Sequence, residues 1–250
     1  MRLLRTLPLF VALAFAAAPT PVEVTVYAAA SLRDALQAVA PVCEPLAGAR
    51  LVFNFGASND LARQIVAANK ADLFFSADEA QMDKVASEGL LDAASRRSLL
   101  SNHLAVVVPQ DAKRDFRSAA DLASVNRLAL ANPDAVPAGR YAKEWLTKTG
   151  VWEKVAPKVA PFPDVRATLA AVETGAVEAG VVYLTDAAAG HGARVAFIAP
   201  ESEAPRISYP LAVLRDRPAL ETARKVASCF ASDDARRVFE HFGFKVRERA

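Results

Sequence analysis

The stretch VEVTVYAAASLRDALQAV (Val22–Val39) changes its period halfway along. Val22–Ala28 is a short apolar run of strand character, whereas Leu32, Ala35, Leu36 and Val39 recur at the i, i+3, i+4, i+7 spacing of an amphipathic helix. Tyr27–Ser31 must therefore turn a strand into a helix. Two later segments repeat the handover. Phe55–Ser58 joins the strand candidate Leu51–Phe55 to a helix marked by Leu61 and Ile65, and Ala131–Ala138 joins Leu128–Ala131 to one marked by Tyr141 and Trp145. Further strand candidates are Asp72–Ser76, Leu104–Val108, Val159–Phe162, Ala179–Leu184, Val195–Ile198 and Pro210–Leu214, and Val165, Leu169 and Val172 mark another helix. Gly89, Gly150, Gly175 and Gly243 fall where helices should stop. Strands alternating with helices predict an α/β fold of parallel sheets covered on both faces. In that class ligands sit at the carboxyl ends of strands, beside helix N-termini.

Four segments place a small or hydroxyl residue at such a helix start: YAAASL (Tyr27–Leu32), FGASND (Phe55–Asp60), VPAGRY (Val136–Tyr141) and PDVRATL (Pro163–Leu169). A helix start leaves its first backbone N–H groups unpaired at the positive end of the helix dipole, which is an anion site in outline. Lys and Arg are missing from the critical turns. Tyr183, in AGVVYL (Ala179–Leu184), can add one phenolic hydrogen bond. Neutral donors of this kind suit a small dianion that offers only acceptor oxygens. Taken singly, each residue has an ordinary reading: Ser31 and Ser58 as helix N-caps, Asp164 as the cap before Val165–Thr174, Tyr183 as a core tyrosine. Arg33, Arg63, Arg140 and Arg166, just past these turns, read as solvated helix faces.

The remaining composition excludes several classes. The 250 residues are 53% hydrophobic, enough for a large buried core. Arg2 and Arg5 followed by the apolar Leu7–Ala17 and by Ala16-Ala17-Ala18 form an export signal, too short to span a bilayer. Removing it takes two of the 30 basic residues and none of the 28 acidic ones, leaving a neutral mature chain without the basic excess of a nucleic-acid binder. His103, His191 and His241 belong to no hydrolase motif, and no P-loop, H-E-x-x-H or G-x-G-x-x-G occurs. Cys43 and Cys229 are either one disulfide, suited to an oxidising compartment, or two buried thiols; spacing leaves both open.

The order of VTVYAAASL, DLARQI, ADLFFSAD, LAVVVP, VPAGRYAKE, DVRATLAAVE, GVVY and the closing FGF (Phe242–Phe244) resembles the periplasmic molybdate-binding proteins of ABC importers, among the type II solute-binding proteins. The resemblance implies two lobes, each a mainly parallel sheet flanked by helices, with a ligand cleft between them. After a signal peptide at residues 1–20, one lobe would comprise 21–103 and 206–250 and the other 104–205. Helices at Ala219–Ala231 and Asp233–Phe242 would complete the first lobe. The oxyanion would be held by Ser31 and Ser58 through hydroxyl and backbone N–H, by Ala138 and Val165 through backbone N–H, and by Tyr183 through its hydroxyl. Molybdenum would be bound only as the oxyanion, with no direct cation ligand. The resemblance further implies a monomeric periplasmic receptor for molybdate or tungstate that serves a membrane permease and its ATPase, needs no cofactor and catalyses nothing. The alternative is another tetrahedral oxyanion, such as sulfate. Asn59 after the second serine, and Asn69-Lys70 where the family often has Gly-Ala-Pro, depart from its pattern.

Overall fold

The computed structural model describes residues 20–247. The export signal lies, but for its last residue, outside the described residues. The chain runs β1 (Val22–Ala29), a 3-10 turn (Ala30–Leu32), α1 (Arg33–Ala47), β2 (Ala49–Gly56), α2 (Ser58–Ala68), β3 (Leu73–Phe75), α3 (Glu79–Ser87) and β4 (Arg97–Ser101). It crosses to β5 (Leu104–Pro109), β6 (Leu128–Ala131), α4 (Pro137–Lys148), α5 (Trp152–Val155), β7 (Val159–Phe162), α6 (Val165–Glu173), β8 (Ala179–Tyr183), α7 (Leu184–Ala189) and β9 (Ala193–Ile198). It then returns through β10 (Tyr209–Val213), α8 (Leu220–Phe230), α9 (Asp233–His241) and β11 (Lys245–Val246).

Two sheets result, with strand orders β11-β4-β10-β3-β1-β2 and β7-β6-β8-β5-β9. Both are mixed. Their parallel parts, β2-β1-β3 and β7-β6-β8, are the stretches where each strand is followed by a helix, the connection that parallel pairing requires. Antiparallel pairing enters where the chain changes sheets: β10 against β3 and β4, and β5 against β8 and β9. Strands covered on both faces read as unbroken apolar runs. Leu104–Val108 and Leu128–Ala131 are accordingly buried throughout.

The predicted strands all form, with ends shifted by a residue or two. β4 and β11 have no counterpart in the sequence reading. β4, RSLLS, mixes polar and apolar residues without clear alternation, and β11 has only two residues, so pairing with β10 and with each other defines them. Gly89, Gly150, Gly175 and Gly243 all adopt positive φ just past helix ends, and Gly48 does the same after α1. Asn69 takes φ 43° at the end of α2, so the departure at Asn69-Lys70 preserves the left-handed turn with the non-glycine residue that best tolerates it. α1 runs through Pro41 and Pro45, which remove two backbone donors from its last turns. Those turns are tied down from outside. Cys43 forms a disulfide with Cys229 of α8, the Cα atoms 5.6 Å apart, which decides between the two readings of the cysteine pair.

Candidate functional site

Helix geometry dictates where unpaired donors accumulate. The amides of the first turn have no intrahelical acceptor. Ser58 is the first residue of α2, Ala138 the second of α4 and Val165 the first of α6, so their N–H groups all belong to this set. Ser31 lies inside the 3-10 turn that leads into α1. Tyr183 ends β8. These five line a single cavity of about 10 Å³ between the two sheets, together with Ala29, Ala30, Gly56, Ala57, Ala77, Val136, Pro137 and Asp164. Each of the five is at most 4% exposed. Residues from both sheets thus meet where the strand-to-helix turns point.

Neither serine is a helix cap. No side chain caps α1 or α2, whose cap positions are Leu32 and Ala57. Ser58 Oγ instead accepts a hydrogen bond from Ala77 N–H at 2.9 Å, from the turn after β3. Ser31 Oγ lies 3.1 Å from the Tyr209 hydroxyl. Asp164 does cap: its Oδ1 accepts from Ala167 N–H at 2.8 Å, which occupies the one carboxylate lining the cavity. Tyr183 Oη is buried and has no hydrogen-bond partner among the described residues. Burial pushes its pKa well above 10, so it is a neutral donor at any physiological pH.

Gly139 explains the VPAG turn. A Cβ at this position would lie 2.0 Å from the Ala131 carbonyl oxygen and 2.7 Å from that of Asn132. Only glycine lets the first turn of α4, where Ala138 lines the cavity, press against the end of β6. Sequence reading treated the segment as a turn and missed the close approach. It also missed Tyr209 and Asn102, which stand behind Ser31. Both lie where the chain crosses between sheets, and only the fold reveals that they meet.

The arginines behave differently from one another. Arg63 is an exposed partner of Asp60, and Arg33 stacks on the Phe55 ring at 4.6 Å. Arg140 spans the sheets to Asp78 at 3.4 Å. Arg166 corrects the solvated-face reading: it is mostly buried, 2.5 Å from Asp34 of α1 and 2.6 Å from the fully buried Asp186 of α7. Two ion pairs, Arg140–Asp78 and Arg166–Asp34, therefore cross the cleft beside the cavity. Among the described residues no group of three or more His, Cys, Asp or Glu side chains could hold a metal ion.

Known proteins agree with this architecture. The molybdate-binding protein of Escherichia coli K12 is 38% identical over 234 residues, 90% of each chain. A substrate-binding domain assigned to a molybdenum ABC transporter of Clostridium difficile superposes with a TM-score of 0.71 at 30% identity, over 91% of this chain and 100% of that one. The periplasmic molybdate-binding protein of Azotobacter vinelandii shares the fold with a TM-score of 0.80 at 21% identity, over 90% of this chain and all of that one. Residues 24–245 match the family described as bacterial extracellular solute-binding protein, and the chain belongs to that family.

Proposed function

We propose that this protein binds molybdate or tungstate outside the cytoplasm and delivers it to the permease and ATPase of an ABC importer. The observation that carries the reading is a cavity lined by hydroxyl, phenol and helix-start amide donors, with its single carboxylate already engaged in capping. Such a site matches a dianion with four acceptor oxygens and no proton. Charge-assisted hydrogen bonds contribute about 1.5–3 kcal/mol each and a helix terminus up to about 2 kcal/mol when partly buried, so several together hold a dianion without a cationic side chain. The names of the relatives at 38% and 30% identity favour molybdate over other oxyanions.

In this reading Ser31, Ser58, Ala138, Val165 and Tyr183 are the ligand set. Residues 1–20 direct export to the periplasm, 21–103 with 206–250 form one lobe and 104–205 the other. The monomer closes its lobes on the anion, and neither catalysis nor a cofactor is involved.

A thermal-shift and calorimetric panel of molybdate, tungstate, sulfate and phosphate tests the proposal. A ligand at about 1,000 times its dissociation constant adds about 4 kcal/mol of stability, a large rise in Tm. Molybdate and tungstate should give it; sulfate and phosphate should not compete even in large excess. Sulfate binding within about tenfold of molybdate, a gap of about 1.4 kcal/mol, overturns the molybdate assignment and leaves an oxyanion receptor.

A further inference from the structure

Behind Ser31 runs a chain of buried hydrogen bonds that reaches the crossover between the sheets. Asn102, in the link from β4 to β5, has its Oδ1 engaged by the backbone N–H of His103 at 2.9 Å. That contact fixes the orientation of the carboxamide, because an amide nitrogen in the same place would oppose the N–H donor. Asn102 Nδ2 therefore donates, to Thr185 Oγ1 at 2.9 Å and to the Tyr209 hydroxyl at 3.3 Å. Tyr209, at the return crossover, is fully buried, and its other hydroxyl partner among the described residues is Ser31 Oγ at 3.1 Å. With one lone pair engaged by Asn102, the phenol has a single acceptor within reach for its proton. Ser31 Oγ therefore accepts a hydrogen bond from the Tyr209 hydroxyl. The hydroxyl hydrogen of Ser31 is then left to point away from Tyr209, toward the cavity that Ser31 lines.

We infer that Tyr209, oriented by Asn102, is a positioning residue that makes Ser31 a donor only, and so helps the site select an oxyanion without a proton. The inference rests on the oxyanion-receptor reading and extends it to two residues that do not line the cavity. Ser58 is held in the same sense by Ala77 N–H, so both serine oxygens accept from the protein and both hydroxyl hydrogens are free for ligand. Backbone fixes the second serine. A side-chain relay fixes the first, and a relay can be cut without moving the main chain.

Molybdate titration of wild type, Tyr209→Phe, Ser31→Ala and the double variant tests this, with thermal melts confirming that each is folded. Tyr209→Phe should weaken molybdate about tenfold in the wild-type background and less than about twofold in the Ser31→Ala background, since a residue acting through Ser31 has no effect once that hydroxyl is gone. In Tyr209→Phe the freed Ser31 hydroxyl can also accept, so hydrogen phosphate should gain on sulfate as a competitor for bound molybdate. Equal losses in the two backgrounds, or a Tyr209→Phe protein that titrates like wild type, overturn the inference. A wild-type protein that does not bind molybdate overturns the receptor reading beneath it, which the same experiment reads separately.

Discussion

The two walls of the cavity supply their donors by different means. On the side of the sheet that carries β1 and β2, the donors include the side chains of Ser31 and Ser58, and each serine oxygen is already met by a protein hydroxyl or amide. On the side of the sheet that carries β6 and β8, they are the helix-start amides of Ala138 and Val165 and the phenol of Tyr183, which has no partner among the described residues. The first wall is specified by what its side chains are. Tyr183 apart, the second is specified by where its backbone sits, which depends on Gly139 and on Asp164 as a cap. The first wall also has a covalent tie, Cys43 to Cys229, joining α1, which follows Ser31, to the penultimate helix of the chain.

Breaking that tie should produce the largest change in stability. The disulfide closes a loop with a sequence separation of 186, and loss of a native disulfide typically costs about 2–5 kcal/mol. We expect Cys43→Ser with Cys229→Ser to lower the unfolding free energy measured in urea by that amount while molybdate affinity, measured by calorimetry on folded protein, stays within about threefold. An equal fall in affinity would mean that the first wall is shaped by the staple and not by its own packing.

The same contrast governs what could be read in advance. The α/β class and most strands were legible because short apolar runs alternate along the chain with runs of helical period and glycines punctuate the helices. All five proposed donors were legible as well, although as an ordered set that resembles a family and not one by one: Ala138 and Val165 carry no chemistry in their side chains. Hidden from the sequence were the contacts made across the fold. Gly139 reads as a turn until the Ala131 carbonyl is found against it, Tyr209 reads as a strand residue until Ser31 is found beside it, and Arg166 reads as solvated until Asp34 and Asp186 enclose it. Long-range approach leaves no period in a sequence.

The second wall is sharpest tested through its backbone. In Gly139→Ala the new Cβ meets main-chain oxygen, which has no rotamer to escape by, so the first turn of α4 must move and carry the Ala138 amide with it. We expect a loss of at least about 100-fold in molybdate affinity, equivalent to about 2.7 kcal/mol. Val165→Ala, which keeps its N–H, should stay within about threefold. If Gly139→Ala binds like wild type, the Ala138 amide is not a ligand.

Single donors come next in size. Ser58→Ala and Tyr183→Phe should each lose about 1–3 kcal/mol of binding, or about five- to 150-fold, without unfolding the protein. The two differ in what they leave behind. Ser58→Ala strands the Ala77 amide, which loses its acceptor, whereas Tyr183→Phe removes a hydroxyl with no partner among the described residues and should raise the stability of the ligand-free protein slightly. Thermal melts without ligand distinguish them. Loss of apo stability in Tyr183→Phe would mean that its phenol has a structural partner.

The last test concerns the ion pairs that join the walls. Burial raises the pKa of Asp186 from 3.8 to about 7, with Arg166 opposing the shift and the nearby Asp34 and Asp164 adding to it. The folded protein therefore holds this proton more tightly than the unfolded chain. Below about pH 4 both states are protonated and the group makes no difference. As pH rises from about 4 to about 7 only the unfolded chain ionises freely, so the group's contribution to stability declines, and above pH 7 the deficit is constant. Asp186→Asn removes the titration. Its stability relative to wild type should therefore rise between pH 4.5 and 7.5 in urea unfolding, because only wild type carries the titrating group. A parallel pH profile for the two proteins would show that Asp186 stays ionised as the true partner of Arg166, and that the Asp34 contact between the walls is the weaker of the two.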